Sequence, residues 1–358
     1  MRFIFFSKTN WAEPPRLRHQ LAHLLADAGH EVVFFQRPYY PGQKNETSDS
    51  GHARIHLYRY RQLLHHKLRL HPLLHRVSAL FEKKQIKSFM SELCIERNDV
   101  IVNFNYDYFF LRDLFPSNRL ITIINDDFWS RAIGGYESPL KWALINTCKS
   151  SDVVLTVSLP LKNELSEFCQ AELFYPWSDS RYTPPNLVTT RNTILFWGYI
   201  NNKLDVKFIA GLANGLLQRG SEYSILFVGP IQCSSDSINE ISRFSNVNFL
   251  PASDLETLDL QNVFVGFIPY RSGIKSIEVI TFPNKVSRLL ARGLPIAVTG
   301  MPNFIAEPFV FRLGQDLESD IASLQAIESH FSKLQPCIRE FVETNGSEER
   351  LKQFMSYL

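Results

Sequence analysis

Phe267-Ile268-Pro269-Tyr270 and, after a polar loop, Phe282-Pro283-Asn284-Lys285-Val286-Ser287-Arg288-Leu289-Leu290-Ala291-Arg292-Gly293-Leu294-Pro295-Ile296 decide the fold. The first run reads as a buried strand and the second as a short helix leading into another apolar strand. Pro283 suits a helix start, because its missing N–H costs nothing in the first turn. Lys285 falls inside that turn, Leu289, Leu290 and Ala291 face a core, and Gly293 closes the helix where positive φ is tolerated. Free backbone N–H groups, the positive end of the helix dipole and a mobile ammonium then converge on one spot. In an α/β domain that spot lies outside the carboxyl ends of the strands, where ligands bind.

Working outward, a βα alternation continues in both directions. Upstream, strands are expected at 193–197, 223–228, 247–250 and 263–269, with an amphipathic helix over 203–217; downstream a strand follows at 296–299. The first half opens in the same way. A short apolar run at 2–6 is followed by Leu17, Leu21, Leu24 and Leu25 at helical spacing, then by a strand at 31–35. Further strands are expected at 53–60, 100–104, 120–125 and 153–157, and helices at 74–92, 139–150 and 161–168. This is the pattern of two parallel sheets. Residues 1–174 form the first domain and 192–335 the second, with a proline-rich linker at 175–191 and a C-terminal helix over 336–358.

The chain has 358 residues, 45% of them hydrophobic, enough for two cores. A net charge of +2 is too balanced for nucleic acid as the bulk partner. Cys94, Cys148, Cys169, Cys233 and Cys337 are scattered, which argues for a reducing compartment and against a zinc site or disulfide framework. The apolar run near Met1 is too short for a signal peptide, and no run of eighteen apolar residues exists. A cytoplasmic protein is the expectation.

Several residues carry candidate chemistry, each beside a plainer reading. Lys285 is either the cation of an anion site or a surface lysine. Tyr270 either faces a ligand or caps a buried strand with its hydroxyl in water. Gly198 either admits a phosphate close to the backbone or makes a plain turn. Asp126 and Asp127 follow a strand; one of them is placed to deprotonate a hydroxyl, or caps the next turn. No G-x-G-x-x-G follows a predicted strand, which weighs against a dinucleotide enzyme. The stretch 59–76 interleaves leucines with Arg59, Arg61, Lys67, Arg69 and Arg76. It is either an interfacial segment for an anionic membrane or a domain helix with solvated cations, interrupted by Pro72.

Taken in order, these segments resemble the GT-B glycosyltransferases, which have two Rossmann-like domains facing a central cleft. Asn192-Thr193-Ile194-Leu195-Phe196-Trp197-Gly198-Tyr199-Ile200 is similar to the opening strand and turn of their C-terminal domain, and Leu226-Phe227-Val228-Gly229-Pro230 to its second strand. Ile268-Pro269-Tyr270, Pro283-x-Lys285 and Leu290-Ala291-x-Gly293-x-Pro295 resemble the donor segment. Asn10-Trp11, Pro14-Pro15-Arg16 and Asn125-Asp126-Asp127-Phe128-Trp129 resemble the acceptor-side loops of bacterial polysaccharide glycosyltransferases. The glutamate pair of many retaining members is absent: Ile280 and Arg288 stand in those places, with Glu278 out of register. The departure fits the divergent subgroup resembling the xanthan glucuronosyltransferase, in which a tyrosine and a downstream lysine hold the diphosphate.

The resemblance implies transfer of a sugar from a nucleotide-diphosphate sugar to a glycan or lipid-linked glycan in cell-surface polysaccharide synthesis. It implies a C-terminal helix returning to the first domain and a donor site of Gly198, Tyr199, Gly229, Tyr270, Arg271, Glu278, Asn284, Lys285 and Arg288. Asn10, Trp11 and Arg16 would lie on the acceptor side, with Asp126 or Asp127 as base. No cofactor, no metal and inversion of configuration are expected, as is a peripheral place on the inner face of the plasma membrane. Two readings of other classes share the fold: a degenerate scaffold subunit, favoured by Arg288, and a sugar-nucleotide epimerase.

Overall fold

A computed structural model describes residues 1–13, 16–43, 45, 49–64, 71–125, 137–179, 181–183 and 190–358. The chain divides into two compact units, Met1–Tyr175 with Leu351–Leu358, and Pro176–Arg350.

The first unit is built on a parallel sheet of β1 (Arg2–Phe6), β2 (Glu31–Phe35), β3 (Ile55–Tyr58), β4 (Val100–Asn103), β5 (Leu120–Ile124), β6 (Val153–Thr156) and β7 (Ala171–Leu173), in the order β3-β2-β1-β4-β5-β6-β7. Its central strands read FIFF, VIVN and LITII and are buried along their length. Near-continuous apolar runs are what a parallel sheet covered on both faces requires. Phe6 and Phe35 lie opposite each other in register, and their rings stack at 4.9 Å. Each such phenylalanine stabilises by about 1.5–3 kcal/mol through burial. Helices α1 (Leu17–Asp27), α2 (Pro72–Glu92), α3 (Leu111–Leu114), α4 (Glu137–Lys149) and α5 (Leu159–Leu165) complete the unit. Among the described residues no helix runs through Pro72; the residue starts α2, where a missing N–H is harmless.

The second unit repeats the plan. β8 (Thr193–Trp197), β9 (Ser224–Val228), β10 (Val247–Leu250), β11 (Val263–Pro269), β12 (Ile296–Thr299) and β13 (Val310–Arg312) form a parallel sheet in the order β10-β9-β8-β11-β12-β13. Its helices are α6 (Val206–Gln218), α7 (Ser235–Ser242), α8 (Lys275–Glu278), α9 (Asn284–Ala291), α10 (Leu317–Ser329) and α11 (Phe331–Thr344), and α12 (Ser347–Met355) runs from this unit into the first. The helix expected from 203 begins at Val206, because the Asp205 side chain accepts from Phe208 N at 3.0 Å and caps it.

The tail returns to the first unit, as the GT-B resemblance implied. Phe354 is fully buried, with ring centroids 6.0 Å from Phe3 and 5.9 Å from Phe174. Arg119 Nε donates to Tyr357 O at 2.8 Å and Gln353 Nε2 to Leu173 O at 2.7 Å. Among the described residues no helix is long and apolar enough to cross a membrane.

Candidate functional site

In each sheet the strand order reverses direction at one place, between β1 and β4 and between β8 and β11. Loops leaving a parallel sheet part there and leave a crevice at the carboxyl ends of the strands.

In the second unit that crevice is bounded by Gly198 after β8, Gly229 after β9, Tyr270 after β11 and the first turn of α9. The backbone is drawn in tightly. Gly229 has φ +148°, and a Cβ on it would stand 2.0 Å from Gly198 O. Gly300 has φ +66°, and a Cβ there would meet Tyr270 O at 2.2 Å. Only glycine fits either place. Thr299 Oγ1 donates to the same Tyr270 carbonyl at 2.8 Å, which fixes where the tyrosine begins.

Lys285 crosses this floor from the second residue of α9; Pro283 stands as the N-cap, one place before the helical position expected for it. Its Nζ donates to Tyr270 Oη at 3.0 Å. The ammonium also lies 4.4 Å from the Phe196 ring centroid and 4.6 Å from that of Tyr270. Its Cδ and Nζ are the atoms nearest to Gly198, 3.8 and 3.9 Å from where a Cβ would be. Burial by itself would raise the Tyr270 phenol. Lys285, as a charge and as a donor, with Lys203 behind it, brings the phenol below its ordinary value instead. A positive field and the N-terminal end of α9 therefore meet in one place.

The other expected donor residues fall around this centre. Tyr199 is exposed beside Gly198, and Asn284 is exposed at the first position of α9. Arg271 N donates to Lys203 O at 2.9 Å. Its side chain helps line a cavity of about 460 Å³ with Asn201, Asp205, Lys207, Cys233 and Glu240. Glu278 ends α8, and its carbonyl accepts from Asn303 Nδ2 at 2.7 Å. Arg288, one turn after Lys285, bonds Glu256 and lies over Trp197 at 4.6 Å; Trp197 Nε1 is itself held by Ser253 O at 2.9 Å. Lys203, Phe196, Trp197 and Glu256 were not singled out from the sequence. The signal for Lys203 was available, since it belongs to the loop that follows the first strand of this sheet.

In the first unit the crevice between β1 and β4 is polar and densely bonded. Lys8 Nζ donates to Asp107 Oδ1 at 2.5 Å and lies about 5 Å over the rings of Tyr106 and Tyr108. Arg18 Nη1 donates to Thr9 Oγ1 at 2.6 Å, with its guanidinium 5.5 Å from the Phe104 centroid. Asn105 Nδ2 donates to Phe6 O at 3.1 Å. These groups sit at the ends of the central strands and escaped the sequence reading.

Of the acceptor-side residues, Trp11 is anchored: its backbone N donates to Gln36 Oε1 at 2.7 Å and Nε1 to Ser50 O at 3.2 Å. Asn10 N donates to Glu13 Oε1 at 3.2 Å. Arg16 pairs with Glu13 at 3.5 Å and caps α1 together with His19, whose Nδ1 accepts from Arg16 N at 3.0 Å. Burial lowers His19 to about 4, so it is neutral. Pro14, Pro15, Asp126, Asp127, Phe128 and Trp129 lie outside the described residues, as do Lys67 and Arg69.

No family model and no curated protein matches the sequence. Solved structures do resemble it along its length. The galactosyltransferase WaaB of the lipopolysaccharide outer core superposes with a TM-score of 0.65 at 13% identity, covering 100% of this chain and 99% of that one. Sucrose-phosphate synthase from Thermosynechococcus elongatus gives 0.69 at 15%, covering 99% and 97%. HepE of Anabaena, solved in complex with UDP, gives 0.67 at 11%, covering 99% of each. The chain thus has the GT-B fold, with two Rossmann-like units.

Proposed function

We propose that the protein is a glycosyltransferase that moves a sugar from a nucleotide-diphosphate sugar to a glycan or lipid-linked glycan in cell-surface polysaccharide synthesis. The observation that carries this is the placement of Lys285. It stands in the first turn of α9, bonded to Tyr270 at 3.0 Å, above strand ends whose glycines let the backbone close up tightly beneath it. The leaving group is a nucleoside diphosphate whose charge grows in the transition state. A lysine and a helix N-terminus, fixed before the reaction, stabilise that charge. Tyr270 holds the ammonium in position, and the aromatic face of Phe196 limits its wandering. Gly198, Tyr199, Gly229, Asn284 and Arg271 are proposed to line the donor, with Glu278 and Arg288 on its sugar side.

The acceptor is assigned to the first unit, where Asn10, Trp11 and Arg16 follow β1. Asp126 or Asp127 is the proposed base, giving single displacement with inversion, and the protein is placed peripherally on the inner face of the plasma membrane. Support for the fold of this reading comes from WaaB, and HepE is a GT-B structure with UDP bound.

Release of nucleoside diphosphate, measured against a panel of sugar nucleotides with and without candidate glycans, tests the proposal. Acceptor-dependent release from one donor is the expected result. The scaffold reading is favoured by Arg288, which is engaged by Glu256 and Trp197. Nucleotide binding without release from any donor would support it.

A further inference from the structure

Helix α2 mixes its polarity. Its buried face sets His75, Ser78 and Glu82, each no more than 1% exposed, beside Ala79 and Ile86 of the core. His75 Nε2 donates to Asp107 O at 2.9 Å, and Glu82 Oε1 accepts from Ser78 Oγ at 2.8 Å and from Gln62 Nε2 at 3.4 Å. The opposite face is apolar. Leu73, Val77 and Leu80 are 65%, 56% and 66% exposed, and Leu74 is 38% exposed. A helix that covers a core ordinarily turns charged and polar groups outward, not leucines.

The exposed stripe follows helical spacing and continues in charge. After Leu73, Val77 and Leu80 the same face presents Lys84 and Lys87, with Arg76 beside it, all exposed. None of these three cations makes an ion pair among the described residues. No acidic residue of α2 is exposed before Glu92. On the buried side, His75 stacks on Phe109 at 4.6 Å. Leucines, a valine and cations of one sign on a single helix face match an anionic lipid interface: acyl boundary for the apolar groups, headgroups for the cations. A second copy fits less well, because a two-fold interface would set this cationic face against itself.

We propose that the outer face of α2 docks the first unit on an anionic bilayer. The inner face of the same helix closes the polar crevice at Lys8 and Asp107. The helix therefore forms a wall with lipid on one side and the proposed acceptor end on the other. For its purpose this rests on the reading of the acceptor as lipid-linked; as a binding event it does not.

The test is sedimentation of the full chain with vesicles of phosphatidylcholine alone or with phosphatidylglycerol added, without sugar nucleotide. Binding is expected only with the anionic lipid, and it should fall as salt is raised. Each cation near the surface contributes about fivefold, equivalent to about 1 kcal/mol. Lys84→Glu with Lys87→Glu should therefore weaken binding by at least about twenty-fivefold. Leu73→Gln, Val77→Gln and Leu80→Gln together should abolish it, with the melting temperature held because these side chains are exposed. Absence of wild-type binding, or variants that bind as wild type does, overturns the proposal. So does a lipid-free dimer that the triple variant dissolves, which would assign the face to a second copy. Since no turnover is measured, failure here leaves glycosyl transfer standing, and failure of transfer leaves the docking result standing.

Discussion

Replacing Lys285 by methionine separates its charge from its bulk. The methionine stem still crosses the floor of the crevice, and a thioether beside Phe196 and Tyr270 contributes about 0.3–1.5 kcal/mol. The two cation–π contacts that are lost are worth about 0.5–1 kcal/mol each at a partly exposed site. The lost bond to Tyr270 adds about 0.5–1.5 kcal/mol, so stability should fall by no more than about 3 kcal/mol, a melting drop of at most about 12 °C. Ligand binding behaves differently. A charge-assisted bond to the diphosphate contributes about 1.5–3 kcal/mol, so nucleoside diphosphate affinity, read by calorimetry, should fall about ten- to a hundredfold. The transition state carries more charge on the leaving group than the ground state does. Turnover should drop by about 3 kcal/mol, on the order of a hundredfold, at saturating donor. An independent readout follows from Tyr270, whose phenol is held down chiefly by Lys285. In the variant, ultraviolet titration should show one tyrosine ionising at higher pH. Unchanged affinity and turnover in a folded variant would remove Lys285 from the site, and an unmoved tyrosine titration would refute the coupling itself.

Other expectations are simpler to state. Gly229→Ala forces a Cβ to within 2.0 Å of Gly198 O at φ +148°; strain and collision together should cost at least about 3 kcal/mol, seen as a melting drop of about 6–12 °C, and a melt within 2 °C of wild type would contradict the geometry. His19 sits at about 4 in the native state against 6.5 unfolded, so its contribution is complete above 6.5 and is lost as pH falls towards 4, an effect of at most about 3 kcal/mol. His19→Gln keeps an acceptor for the cap of α1 and removes the titration, so its denaturant midpoint should fall less between pH 7 and pH 4.5; equal acid sensitivity would exclude His19 as a cause. Asp126→Asn and Asp127→Asn, made separately, should include one variant that loses about a hundredfold in turnover while keeping donor affinity, and full activity in both would end the base assignment.

What the sequence discloses follows the range of the interaction. The helix between Pro283 and Ile296 reads to within one residue because its start, core face and stop are all local. Central strands such as Glu31–Phe35 and Val263–Pro269 read correctly because burial on both faces leaves an unbroken apolar run. The edge strands β7 and β13 have three residues each, too few to show a period. Lys8 and Asp107 are separated by 99 residues and Arg288 and Glu256 by 32, and nothing local announces either pair. The polarity of α2 is hidden for a different reason. A helical period shows that two faces differ; which one turns inward depends on what the rest of the fold offers it, and here that is the carbonyl of Asp107 and the amide of Gln62.

The seat of Phe354 on Phe3 and Phe174 has a consequence for biosynthesis. Phe3 is made some 350 residues before its partner, roughly 20–70 s at ordinary rates of elongation. The unit made first is thus the last to be finished, and for that interval it carries an apolar socket that only its own distant tail fills. A chain cut before Leu351 has a whole second unit and an unfinished first.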